Sequence, residues 1–154
     1  NKIAADMLTF IEKSPSAFHA IANLEQLFTE NGYQALEEKD EWNLGNGGKY
    51  FVTRNGSALI AFEIPQGEIK GFHMTSAHSD SPTFKVKENP EMLAEDQYVK
   101  LNTEKYGGMI LSTWLDRPLS VAGRVTVKEE GKILEGGRLL MLCTSHLHTA
   151  IVHV

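Results

Sequence analysis

Residues 76–82, Ser-Ala-His-Ser-Asp-Ser-Pro, contain the side chains whose types and spacing best suit chemistry. His78 and Asp80 are separated by one residue, and they can serve a metal site in different ways. An imidazole nitrogen binds a metal directly, while a carboxylate that accepts the other ring N–H fixes the tautomer and orientation of that imidazole. The pattern favours a metal corner in which His78 is a ligand and Asp80 orients it.

Two other interpretations of this corner stay open from the pattern alone. Ser79 or Ser81 could act as a nucleophile with His78, although neighbours on an extended chain rarely reach hydrogen-bonding geometry and no Gly-x-Ser-x-Gly elbow occurs. Ser, Asp and Pro could also simply form a turn. His73 precedes His78 by five residues on the presumed strand, which places it on the opposite face. We therefore expect His73 to pack rather than to share a metal with His78.

The first third of the chain predicts two helices by the spacing of its apolar residues. The first helix is expected at residues 4–13 and the second at residues 17–31. A serine of Ser14-Pro15-Ser16 is expected to cap the second helix, and Gly32 is expected to end it. His19 lies off the apolar stripe of the second helix, so we interpret it as a surface or partly packed residue.

The remaining sequence predicts strands joined by turns. Asn55-Gly56 is a preferred two-residue turn for a β-hairpin. Tyr106-Gly107-Gly108 predicts a tight turn at which the backbone approaches another group closely. The segment after residue 83 is expected to end at Asn89-Pro90, and Glu129 to Lys132 is expected to form a hairpin turn. The predicted strands are residues 49–54, 57–64, 69–77 (buried), 83–87, 98–102 and 120–128.

Composition narrows the class of protein. The chain has 154 residues, of which 42% are hydrophobic and 23% charged, with a net charge of −5. This charge disfavours nucleic acid and anionic membranes as partners, and no apolar run reaches the ~20 residues of a membrane span. The single cysteine, Cys143, excludes an intrachain disulfide and a cysteine metal cluster. A single cysteine also fits a reducing compartment, so we expect a cytoplasmic protein.

The order of elements predicts two regions. Helices and strands alternate at first, and strands dominate from about residue 84. We expect residues 1–90 to be the first part of an α/β domain and residues 91–154 to begin a β-rich domain.

Three ordered blocks of the sequence are similar to signatures of one enzyme family. They are residues 77–87 around His78, residues 106–125 from Tyr106-Gly107-Gly108 through Asp116-Arg117-Pro118, and residues 10–20. These blocks resemble the aspartyl aminopeptidase / aminopeptidase I family of dinuclear zinc exopeptidases. The resemblance implies the amino-terminal part of a zinc-exopeptidase α/β domain that leads into a β-rich dimerisation subdomain.

The resemblance also implies a function and a site. The family removes an N-terminal residue from peptides, so the expected partners are a peptide substrate and further copies of the same chain. The expected cofactor is Zn²⁺, two ions per complete site, with other divalent metals possible. His78 matches a metal ligand of the family, and Asp80 matches the carboxylate that supports catalysis by orienting it.

The sequence departs from the family pattern beyond these blocks. The bridging Asp, the Glu pair, the further carboxylate and the late His of a two-metal site have no match here, and zinc needs at least three protein ligands. Residues 141–154 diverge as well. We therefore expect an incomplete amino-terminal fragment that is inactive by itself. The alternative is a non-catalytic β-rich module for oligomerisation or interaction. Roles stay open for Asp116, Arg117, His146, His148 and His153.

Overall fold

The computed structural model describes residues 1–115, 118–126, 128–129, 132–133 and 138–142. They divide into two compact units, of which the first is Asn1–Ser79 and the second begins at Asp80. This boundary precedes the expected domain boundary at residue 90, and the domain division itself stays a prediction.

Two helices open the first unit, as the apolar spacing predicts. Helix α1 is Lys2–Lys13 and helix α2 is Ala17–Glu30. The Ser16 side chain caps α2 by accepting a hydrogen bond from the backbone N–H of His19 at 3.4 Å. Gly32 follows α2 with φ of +80°, a left-handed conformation that costs glycine little. The predicted cap and the predicted stop are both confirmed.

A three-stranded sheet completes the first unit. Its strands are β1 (Gln34–Leu36), β2 (Lys49–Arg54) and β3 (Ala58–Glu63), with β1 parallel and β3 antiparallel to β2. Asn55 and Gly56 both have positive φ, 53° and 63°, as a type I′ turn requires. The predicted hairpin is confirmed, but Arg54 pairs with Ala58, so its loop also includes Ser57 and is one residue longer than expected. The sequence did not predict the three-residue strand β1.

The core of the first unit lies between α2 and the central strand β2. Phe28 of α2 stacks on Phe51 of β2 with ring centroids 6.1 Å apart, and Tyr33 meets Phe28 edge-on. Burial of such aromatic and aliphatic side chains holds the helix against the sheet. The buried hydrophobic residues of this unit are Ala17, Ala20, Ile21, Tyr50, Phe51 and Val52.

Residues 69–77 correct one prediction. A buried strand was expected, but these residues form neither helix nor strand and their side chains are exposed. Phe72 and Met74 are 82% and 87% exposed. A strand forms only when its backbone N–H and C=O groups find a neighbouring strand. No strand in the described part of the chain pairs with this segment, so its apolar pattern alone does not make it a strand.

A long antiparallel ribbon opens the second unit. Strand β4 is Thr83–Ala94 and strand β5 is Tyr98–Tyr106. Both predicted strands are confirmed but are longer than expected. The predicted end at Asn89-Pro90 is wrong, because β4 continues through a register irregularity between Val86 and Glu91. Proline has no N–H to donate, so a bulge is where a strand tolerates it.

The described residues beyond the ribbon include four shorter strands. Strand β6 (Val121–Val125) pairs with β9 (Arg138–Leu142), and β7 (Lys128–Glu129) pairs with β8 (Lys132–Ile133). The strand predicted over residues 120–128 is therefore divided between two ladders. Glu129 pairs with Lys132, while the two residues between them, at which the turn was predicted, lie outside the described residues. None of the helices in the described ranges has the length and apolar content needed to cross a membrane.

Candidate metal site

His78 lies at the end of the irregular segment that follows β3, and its side chain is exposed. This residue therefore presents its imidazole from backbone without regular secondary structure, rather than from the end of a buried strand as predicted. An exposed imidazole is chemically able to bind a metal through either ring nitrogen. The role of His78 as a ligand stays a prediction.

Ser79 ties the corner to the hairpin of the first unit. Its Oγ donates a hydrogen bond of 2.9 Å to the carbonyl oxygen of Ser57, which lies directly after the Asn55-Gly56 turn. The hydroxyl proton is thus directed at a backbone carbonyl and not at a general base. This contact favours a structural role for Ser79 and argues against the nucleophile interpretation.

Asp80, the first residue of the second unit, is held by Tyr106 at the end of β5. The Tyr106 hydroxyl donates a hydrogen bond of 2.5 Å to Oδ2 of Asp80. This length is typical of a hydroxyl that donates to an ionised carboxylate. The hydrogen bond to Asp80, and then its negative charge, raise the pKa of Tyr106 because both disfavour the phenolate.

Contacts next to this hydrogen bond hold the end of β5 against the segment that contains Asp80. Tyr106 is the register partner of Thr83 in the ribbon of β4 and β5. Gly107 comes next with φ of +74°, and a Cβ at that position would lie 3.3 Å from the Cα of Pro82. The close backbone approach predicted for the Tyr106-Gly107-Gly108 turn is confirmed, and the group approached is Pro82.

His73 corrects a second prediction. It was expected to pack, but it lies in the irregular segment and is exposed. The expectation required a strand with one buried face, and that strand is absent from residues 69–77. His19 was interpreted as a surface or partly packed residue, and this is confirmed, since its Nδ1 lies 2.7 Å from Ser16 Oγ and burial lowers its pKa.

The metal site implied by the resemblance can be tested against the donors present. Among the described residues no group of three or more His, Cys, Asp or Glu side chains is arranged to hold a metal ion. His78 has the imidazole chemistry of a metal ligand, and Asp80 has the carboxylate chemistry of a residue that orients such a ligand. A complete zinc site requires at least three protein ligands. The described residues therefore supply at most part of the donor set that a zinc site needs.

Several residues that the sequence suggested for a role lie outside the described residues. They are Asp116, Arg117, His146, His148 and His153. Their roles stay open.

Sequence reasoning missed Tyr106 as the partner of Asp80. The two residues are 26 positions apart, and only their approach through the β4–β5 ribbon brings them together. The glycines after Tyr106 were the available signal, because they indicated close backbone approach without identifying its target. The Ser57 carbonyl was missed as well, because every residue has a backbone carbonyl and the sequence does not indicate which one accepts a hydrogen bond.

The corner at residues 78–82 lies within the part of the chain that matches a known protein family. Residues 10–139 match the family described as aminopeptidase I zinc metalloprotease (M18). A curated relative of Clostridium acetobutylicum, "Probable M18 family aminopeptidase 2", is 50% identical over 141 residues, which is 90% of this chain and 33% of the relative. The chain thus spans about a third of the length of the curated relatives it matches.

Solved structures agree in fold. The mApe1 structure of Chaetomium thermophilum is 36% identical with a TM-score of 0.81, covering 90% of this chain and 32% of that one. The dodecamer of mApe1 from S. cerevisiae is 29% identical with a TM-score of 0.81, covering 90% and 33%. These matches confirm the predicted fold class, the first part of the mixed α/β and β-rich peptidase fold.

Proposed function

The chain belongs to the aminopeptidase I zinc metalloprotease (M18) family, and on this basis we propose that the whole protein is a zinc-dependent aminopeptidase. Its reaction is the hydrolysis of the first peptide bond of a peptide. One observation carries the proposal: the family match extends over residues 10–139 and includes the whole corner from His78 to Pro82. Fold similarity alone would not justify an activity, because one fold supports many functions.

The described residues have defined parts in this proposal. His78 supplies one metal ligand, and Asp80 orients its imidazole. When bound, zinc would polarise the scissile carbonyl and lower the pKa of a water molecule. Ser79 holds the backbone of the corner through its hydrogen bond to Ser57. This contact fixes the backbone position from which the neighbouring His78 side chain extends.

The proposal places the remaining ligands outside the described residues. Only His78 fits a ligand position among the described residues, and they contain no cluster of three metal-binding side chains. The chain spans 33% of the curated relative from Clostridium acetobutylicum. We accordingly expect the 154-residue chain alone to lack peptidase activity, and the full-length protein to be active.

Peptide hydrolysis by the full-length protein tests the proposal. The substrates are one short peptide with a free N-terminus and the same peptide with an acetylated N-terminus. We expect release of the first residue from the free peptide only, loss of turnover after chelation, and recovery on adding Zn²⁺. Cleavage of the acetylated peptide, or full turnover in the presence of chelator, would contradict the proposal.

A matched pair of histidine variants links the activity to the corner. We expect His78→Ala to lower kcat/KM by at least about 100-fold, because it removes a ligand. His73→Ala is the control, since His73 is exposed in the same irregular segment five residues earlier. It should leave kcat/KM unchanged. Equal losses in the two variants would remove His78 from the metal site.

The alternative function, a β-rich oligomerisation module, has its own observation. Leu93 of β4 and Val99 of β5 are register partners, and they are 75% and 66% exposed. Paired apolar side chains that face solvent are typical of a contact surface. The S. cerevisiae relative was solved as a dodecamer. We include in the proposal that the whole protein is a homo-oligomer that uses this ribbon surface.

Light scattering distinguishes the two functions. We expect the double substitution Leu93→Lys and Val99→Lys to lower the molar mass of the full-length protein, and Ile60→Lys, an exposed position in the first unit, to leave it unchanged. An oligomer that persists in the double variant would exclude the ribbon surface. Oligomerisation without any peptidase activity would favour the non-catalytic module.

A cytoplasmic location is part of the proposal and is supported by the single cysteine, Cys143.

A further inference from the structure

The hydrogen bond from Tyr106 to Asp80 constrains a side chain that otherwise rotates easily. The torsion that turns an aspartate carboxylate about its Cβ–Cγ bond is broad and roughly two-fold. A donor 2.5 Å from Oδ2 narrows this torsion, because the two oxygens and the carboxylate carbon share one plane. The position of the Tyr106 hydroxyl therefore also sets the direction of the second oxygen, Oδ1.

The position of that hydroxyl is itself defined by the ribbon. Tyr106 is the last residue of β5 and lies opposite Thr83, the first residue of β4. The backbone at Gly107 lies against Pro82, where a side chain would contact the proline at 3.3 to 3.5 Å. Two independent contacts, one through the ladder and one through the glycine, thus hold Tyr106 beside the segment that contains Asp80.

We propose that Tyr106 is a positioning residue of the metal corner, which holds the Asp80 carboxylate in the orientation that His78 requires. This inference rests on the proposed function, in which Asp80 orients a zinc ligand. Tyr106 touches neither substrate nor metal in this role, and it acts only through Asp80. Outer partners of metal ligands influence metal affinity and activity about 10- to 100-fold, so a contact one step further out should have a measurable effect.

A purely structural role is the competing explanation, in which the hydrogen bond only fastens β5 to the turn before β4. The two explanations differ in their consequences. Loss of a fastening contact lowers the unfolding temperature and leaves the metal site unchanged once the protein is folded. Loss of a positioning contact weakens metal binding and slows turnover in the folded protein.

The experiment uses the full-length protein loaded with Zn²⁺. Tyr106→Phe removes the hydroxyl and keeps the ring, and Tyr98→Phe is the matched control at the exposed first position of the same strand. The readouts are the zinc dissociation constant from chelator competition, the visible spectrum of the Co²⁺-substituted protein, kcat and KM. We expect Tyr106→Phe to weaken zinc binding and lower kcat by about 10-fold, to change the Co²⁺ spectrum, and to leave KM unchanged. Tyr98→Phe should match the wild type in every readout.

A double-mutant cycle tests whether Tyr106 acts through Asp80. Combining Tyr106→Phe with Asp80→Asn should lower zinc affinity no further than Asp80→Asn alone. Three outcomes would each overturn the inference. The first is a Tyr106→Phe protein with wild-type zinc affinity and kcat, and the second is a double variant whose loss of zinc affinity is the product of the two single losses. The third is a Tyr106→Phe protein that does not fold. Absence of zinc binding and turnover in the wild type would instead refute the proposed function, so the two failures are distinguishable.

Discussion

The Ser79 hydroxyl donates a 2.9 Å hydrogen bond to the carbonyl of Ser57, which anchors the His78 corner to the β2–β3 hairpin. The partner is a backbone group, so the contact depends on the hairpin's conformation and not on a second side chain. The corner of the first unit is therefore positioned by the most locally determined element of the fold, the Asn55-Gly56 turn.

Replacing Ser79 should lower the stability of the protein without lowering its peptidase activity. We expect Ser79→Ala to lower the free energy of unfolding by about 1 kcal/mol, because one hydrogen bond is lost. Peptidase turnover of the full-length protein should persist. Ser81→Ala is the control, since Ser81 is exposed in the same corner, and it should change neither quantity. A loss of kcat of roughly three orders of magnitude in a folded Ser79→Ala protein would restore the nucleophile interpretation.

The turn beside Ser57 gives a second test. Gly56 has φ of +63°, a conformation that L-residues with a Cβ adopt at a cost. We expect Gly56→Ala to lower the free energy of unfolding of the chain by about 1 kcal/mol in urea denaturation. Gly67→Ala is the matched control, because a Cβ there would meet nothing within 4 Å and its φ is not positive. Equal effects in both variants would contradict the turn assignment.

The sequence predicted elements that depend on local signals and missed those that depend on distant ones. The cap at Ser16 and the turn at Asn55-Gly56 result from residues close in sequence, and both are confirmed. The strand prediction for residues 69–77 fails because a strand also needs a partner strand, which periodicity does not encode. The contact from Tyr106 to Asp80 joins residues 26 positions apart, so only the folded ribbon reveals it.

The correction at residues 69–77 predicts unequal effects of two phenylalanine substitutions in the 154-residue chain. Phe72 is largely exposed and Phe51 is buried in the first unit. We expect Phe72→Ala to change the free energy of unfolding by less than about 0.5 kcal/mol, as exposed positions do. Phe51→Ala should lower it by about 3 to 5 kcal/mol, because it leaves a cavity. A large effect of Phe72→Ala in this chain would show that the segment is packed after all.

The cluster at Glu63 predicts a pH dependence of stability. Its carboxylate accepts a hydrogen bond from the Tyr33 hydroxyl at 2.6 Å and lies 3.3 Å from Lys49 Nζ. The hydrogen bond from Tyr33, together with the weaker contribution of Lys49, lowers the pKa of Glu63. A carboxyl whose pKa is lower in the folded state stabilises the fold above its unfolded pKa, and this contribution is lost as pH falls through the folded value.

Glu63→Gln should therefore weaken the loss of stability on acidification from about pH 5 to about pH 3. The measurement is urea denaturation of the chain at a series of pH values. Tyr33→Phe removes the hydroxyl that donates to Glu63 and should weaken the acid-induced loss of stability in the same direction. A Glu63→Gln profile with an unchanged acid slope would contradict a lowered pKa of Glu63.

Anomalous X-ray scattering at the zinc edge, on crystals of the zinc-loaded full-length protein, tests most directly whether His78 is a metal ligand. We predict a zinc peak at about 2.0 to 2.1 Å from a ring nitrogen of His78. The other ring nitrogen should face the Asp80 carboxylate, and no peak should lie at His73. A zinc site that leaves the His78 imidazole uncoordinated would contradict the assignment of this corner as part of the metal site.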